Sequence, residues 1–133
     1  NLNDGTPFPT MFWLTCPMYI KKVSTLESHG MVKELDNQLN RNRKLRKLWL
    51  KRQKSYEKER NRKYKNVNNT VSPIGGVGGA VNSIKCLHSH LADELVTGKN
   101  IVGQIVLENV GGCNCNEPCV TEGTKNDNWR SEW

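Results

Sequence analysis

Residues 84–90 read IKCLHSH and residues 113–119 read CNCNEPC. The first stretch puts Cys86, His88 and His90 within five positions. The second puts Cys113, Cys115 and Cys119 in a polar run after a double glycine. Thiolate sulfur and imidazole nitrogen are the donors that zinc takes, and three thiols in a polar loop cannot all be buried among apolar side chains. The pattern therefore points to soft-metal ligation, with zinc first and an iron–sulfur cluster second. With Cys16 and Cys86 added, there are more donors than the four a tetrahedral ion needs.

The same residues suit a different chemistry. Cys16 and Cys86 each precede a helical pattern, and a thiol at a helix N-terminus gains thiolate character, with His88 or His90 near enough to Cys86 to act as a base. No carboxylate is evidently placed to orient either histidine, so no catalytic residue is assigned. The alternative function on this basis is a thiol- or metal-dependent hydrolase acting on a phosphorylated substrate. The bland alternative is that a buried histidine is hydrogen-bonded core and a buried cysteine a small hydrophobe. His29, beside Gly30, reads as a helix C-terminal cap.

The elements that must position these groups follow from periodicity. MFWLT, residues 11–15, reads as a short strand, and Pro17 opens a helix carrying Ile20, Val23 and Leu26 up to Gly30. Residues 33–64 are helical and very polar, either one long or kinked helix or two with a break near Asn40-Arg41-Asn42. A helix over Cys86–Thr97 ends at Gly98, and a shorter one over Val102–Val110 ends at Gly111-Gly112. At about 100° per residue, Ile84, Leu87, His88, Leu91 and Leu95 share one face and Cys86, His90 and Asp93 the other. Cys86 and His90 could chelate at i,i+4. If the helix begins at Leu87, Cys86 is instead a cap free to turn toward His88.

The fold class expected is mainly α, a small single-domain helical fold with a long basic helix, a Gly-rich linker and irregular Cys-containing loops. Residues 1–133 form one domain: 1–30 loop plus first helix, 31–66 long basic helix, 67–83 Gly-rich linker, 84–120 helical Cys/His region, 121–133 polar frayed tail. With 35% hydrophobic residues and a mean hydropathy of -0.70, the core is modest and a metal tie useful. GGVGG, residues 75–79, is not followed by Gly-Lys-Ser/Thr, so it is no Walker A loop. No run of about 20 apolar residues occurs, and five cysteines, an odd number, do not suggest a paired disulfide framework. A cytoplasmic, reducing location is the expectation.

The net charge of +7 is concentrated. Residues 31–65 hold 14 Lys and Arg against 4 Asp and Glu, or +10. Such a helix attracts phosphate backbones through counterion release. A nucleic acid or an acidic protein is the expected partner, met by Arg43, Lys44, Arg46, Lys47, Lys51 and Arg52. No groove-reading motif is present, so no sequence specificity is implied.

DGTPFPTMFWLTCP (4–17), SYEKERN (55–61) and IKCLHSHLA (84–92), followed by 98–103, resemble an uncharacterised bacterial family, domain of unknown function five hundred and one. Its signature falls here on Asp4, Gly5, Pro7, Pro9, Cys16, Pro17, Lys85, Cys86, Leu87 and His88. The resemblance implies no activity. It implies that Cys16, Cys86 and His88, rather than His90, are the signature thiols and imidazole; members of the family tend to begin with a short cysteine-containing piece that this sequence does not include. The basic helix is heavier in Lys and Arg than the family pattern, so nucleic-acid binding is not implied by it. The expected site is one closed, structural zinc ion on Cys16, Cys86, His88 and one thiol of the C-terminal cluster, Cys119 ahead of Cys113 and Cys115. That requires the Cys16 and Cys86 helices to align their N-termini.

Overall fold

Cys16 is extended and Pro17 occupies the first helical position, where a missing N–H leaves no bond unmade, so α1 runs Pro17–Ser28. The structure, a computed structural model, describes residues 8–65 and 72–129. Asp4, Gly5 and Pro7 of the signature lie outside the described residues. His29 caps α1 through its N–H to the Thr25 carbonyl, and Gly30 at φ +87 turns the chain into α2 (Met31–Arg41). The break expected near residues 40–42 is a cap. Asn42 is extended, and its Oδ1 accepts the Leu45 N–H at 3.1 Å to start α3 (Arg43–Lys65). α4 (Leu87–Thr97) ends at Gly98 in the left-handed conformation, and Asn100 caps α5 (Ile101–Val110) by accepting the Gly103 N–H at 2.9 Å.

The mainly helical small domain expected from the sequence is what forms. Val23, Leu35, Leu39, Trp49, Ile84, Leu87, Leu91, Val102, Val106 and Val110 make one core with α4 at its centre. α4 and α5 lie close enough that a Cβ on Gly103 would overlap the carbonyl of His90. Among the described residues, no helix is long and apolar enough to cross a membrane.

Three expectations are corrected. Residues 11–15 make no strand; the Met11 N–H donates to Tyr56 Oη at 2.7 Å and Phe12 meets the Tyr56 ring edge-on, so the segment is held by side chains of α3 rather than by a ladder. The described part of the Gly-rich linker, with a short 3₁₀ turn at Val77–Gly79, is clamped to α3. Gln53 Oε1 accepts the Val77 N–H and its Nε2 donates to the Ala80 carbonyl, both at 3.1 Å, while a Cβ on Gly76 would come within 2.6 Å of the Gln53 amide. Arg60, 1% exposed, adds bonds to the carbonyls of Pro9, Pro73 and Gly76. The described part of the tail, expected to fray, carries a hairpin of β1 (Val120–Thr121) and β2 (Thr124–Lys125), because Glu122 and Gly123 both take the positive φ that a tight hairpin turn requires.

Candidate metal centre and basic face

α4 starts at Leu87, so Cys86 is its cap and turns its side chain toward His88, the second of the two arrangements the spacing allows. Cys86 Sγ lies 3.9 Å from His88 Nδ1, and Glu27 Oε1 lies 3.2 Å from the same nitrogen. Glu27 Oε1 also accepts the Leu87 N–H at 2.8 Å. One donor atom from each of Glu27, Cys86 and His88 lies within 4.8 Å of the others. Donors sharing a tetrahedral zinc are separated by roughly 3.3–3.8 Å, so the three need to move little to meet one ion.

The far side of the imidazole supports that use. His88 Nε2 faces the Ile20 carbonyl and Ser24 Oγ, each at 3.2 Å. A carbonyl can only accept, so in the tautomer in which Nε2–H donates to Ile20, Nδ1 is the atom left to receive a metal. This is the backing that orients metal-bound imidazoles. The 3.2 Å contact between His88 Nδ1 and Glu27 Oε1 is an ion pair only when the imidazole is protonated. The geometry does not form a catalytic relay, because thiol and carboxylate approach one nitrogen instead of opposite ones.

Glu27 was not singled out from the sequence. Its signal is electrostatic: an acid in the last turn of α1 opposes the dipole of its own helix, and here it is compensated at the N-terminus of α4, where negative charge is favoured. The same contact corrects the expected alignment of helix N-termini. α4 begins beside the last turn of α1, eleven residues from Cys16 and about 16 Å along the helix.

The expected single ligand set is therefore divided. Cys16 caps α1 and meets the C-terminal loop, with Cys16 Sγ 3.7 Å from Cys113 Sγ and Cys113 Sγ 3.6 Å from Cys115 Sγ. Cys119 is half-buried beside the hairpin, where its carbonyl accepts the Asn126 N–H. The Cys113 thiol is pushed up to about 12 by partial desolvation and then by its thiol neighbours Cys115 and Cys16. All five cysteines are free thiols.

His88 and His90 exchange the environments that helical phase gave them. His90 is fully buried; Trp49 Nε1–H donates to its Nε2 at 3.3 Å and its Nδ1–H donates to the Cys86 carbonyl at 2.9 Å. Burial lowers its pKa from the ordinary histidine value and keeps it neutral. Asp93, on the same face, is also fully buried, held by Arg52 and Asn100. The first two turns of α4 are largely buried, with Leu95 and Val96 exposed beyond them, so His90 and Asp93 meet α3 through matched polar partners instead of facing water.

Arg52 consequently leaves the set of candidate phosphate contacts. It is 3% exposed and donates to both Asp93 oxygens, at 2.8 and 2.7 Å, and its pKa is raised chiefly by those bonds. Arg46 is half-buried and donates to Asn40 Oδ1. Arg43, Lys44, Lys47 and Lys51 remain exposed, joined by Lys54, Lys58 and Arg62. At 100° per residue these seven fall in an arc of about 100° that extends about 28 Å along α3, and neither Glu57 nor Glu59 lies within it. None of the seven pairs with a carboxylate among the described residues.

Fold and site together define a small helical domain with clustered thiol, imidazole and carboxylate groups and one cationic helix face. A family model described as protein of unknown function (DUF501) matches residues 1–108, and the chain belongs to that family. No curated protein and no solved structure matches it.

Proposed function

We propose that this chain is a zinc-binding interaction module that docks the exposed face of α3 along the phosphate backbone of a nucleic acid. The observation that carries the reading is the acid-free row of seven cations. Arg43/Lys47, Lys47/Lys51, Lys54/Lys58 and Lys58/Arg62 are like-charge i,i+4 pairs, each costing the helix roughly 0.2–0.5 kcal/mol. A partner with regularly spaced negative charge removes that cost. A straight row about 28 Å long suits a phosphate backbone better than the irregular carboxylates of an acidic protein.

In this reading the ion on Glu27, Cys86 and His88 is a structural tie. It joins the start of α4 to the end of α1 and so supports the core on which α3 lies. The hydrolase alternative has less support, since Cys86 and Glu27 both approach Nδ1 of His88.

The test is the affinity for short single- and double-stranded nucleic acids as salt is varied. Wild-type affinity should fall steeply and with little sequence preference. Replacing Lys47, Lys51, Lys54 and Lys58 by alanine should flatten the log–log salt slope by up to roughly 3–4. An unchanged slope in that variant overturns the proposal.

A further inference from the structure

We propose a second, all-thiolate metal centre at the N-terminus of α1, in which Cys16, Cys113 and Cys115 hold a soft divalent cation of the zinc class. It is separate from the Glu27–Cys86–His88 cluster and does not depend on it. Two of its three thiols lie beyond residues 1–108, so the family match does not carry it.

The sulfur spacing is the first argument. Sulfurs bound at about 2.3 Å to a tetrahedral ion lie roughly 3.8 Å apart. The separations here are 3.7 Å for Cys16–Cys113 and 3.6 Å for Cys113–Cys115, with Cys113 in the middle; Cys16 and Cys115 lie more than 4.8 Å apart, so one exposed tail side chain must turn to bring all three onto one ion. A disulfide needs about 2.05 Å, so neither pair is bonded, and each of the two contacts has the separation that two ligands of one ion share.

The second argument is that the approach of the tail is already fixed. Lys22 Nζ donates to the Val110 carbonyl at 3.0 Å, holding the end of α5 against α1. Tyr19, in the first turn of α1, is hydrogen-bonded to the backbone of Cys113. Gly111, at φ +73, then lets the chain turn so that Cys113 arrives over Cys16, 97 residues away in sequence.

Charge is the third. Cys16 makes no side-chain capping bond, and the first turn of α1 holds no acid. On binding, each thiol loses its proton to solvent and three thiolates take one divalent ion, leaving a net charge of −1 and one coordination position for water. The positive end of the α1 dipole favours that charge.

The experiment uses the full, reduced chain with zinc or cadmium as the probe. Cys113→Ser/Cys115→Ser should bind one equivalent of zinc less than wild type and lose most of the sulfur-to-cadmium charge-transfer absorption. Its circular dichroism should be unchanged, because both residues are exposed. Cys86→Ser/His88→Ala should keep this site and its cadmium band, which separates it from the proposed structural tie. Zinc should also protect Cys113 and Cys115 from alkylation. Equal zinc content in Cys113→Ser/Cys115→Ser and wild type, or alkylation of both thiols at the same rate with and without zinc, overturns the proposal.

Discussion

Arg52 and Asp93 form a two-pronged ion pair in the core, with bonds of 2.8 and 2.7 Å between side chains 3% and 0% exposed. It joins α3 to α4, and the second Asp93 oxygen also accepts Asn100 Nδ2–H at 2.9 Å, coupling the pair to the cap of α5. Three helices thus share one buried carboxylate.

Removing that carboxylate leaves a buried guanidinium without its main partner, which costs about 3–5 kcal/mol. Asp93→Ala is therefore expected to lower the denaturant midpoint sharply. Arg52→Met/Asp93→Leu, which removes both charges, should recover most of the loss. Equal instability of the single and double variants in urea melts would show that packing, not the unpaired charge, sets the cost.

Tyr56 gives a dependence on alkaline pH. It is 1% exposed, accepts the Met11 N–H, and carries Arg52 and Arg60 against its ring. Burial is the main cause that raises its pKa above 10.0. A folded value above the unfolded one means the native state holds the proton more tightly. Its stabilising contribution is complete below about pH 10 and is lost as pH rises through the folded value. Thermal melts from pH 8 to 11 should show a decline in wild type that Tyr56→Phe lessens, after an upfront loss of about 1 kcal/mol from the Met11 bond.

Gly103 marks the closest approach of α4 and α5. A methyl group there would overlap the His90 carbonyl and crowd Cβ of Glu94. Backbone cannot yield as a side-chain tip can, so Gly103→Ala should destabilise by about 1–3 kcal/mol despite alanine's better helix propensity. A melting temperature equal to wild type would show that the two helices can separate freely.

The legible parts of the fold were those set by local chemistry. Pro17, Asn42, Gly98 and Gly111 mark helix limits through φ restriction and capping, which act over a few residues. Helical phase failed on α4 because phase distinguishes apolar from polar and not buried from exposed. His90 and Asp93 are polar and buried, and their partners Trp49 and Arg52 lie 41 residues away. Glu27 and Leu87 are likewise joined only by tertiary packing, 60 residues apart. The basic face was visible as charge, yet which cations face solvent depended on Arg52 finding Asp93.

Glu27 separates capping from ligation. Its Oε1 accepts the Leu87 N–H and also faces His88 Nδ1. Glutamine keeps an acceptor oxygen for the amide but supplies no charge to an ion; alanine supplies neither. Metal-free Glu27→Gln should lose about 0.3–1 kcal/mol, the worth of a charge at a helix N-terminus, and Glu27→Ala more, because the Leu87 N–H is then unpaired. Zinc at a hundred times its dissociation constant adds about 2.7 kcal/mol to a protein that binds it only when folded. That zinc-dependent rise in melting temperature should be much reduced in Glu27→Gln and in Cys86→Ser, measured with Cys113→Ser/Cys115→Ser as background so that the tail thiols do not contribute. A full zinc response in Glu27→Gln would remove the carboxylate from the ligand set and leave Glu27 as the cap of α4 alone.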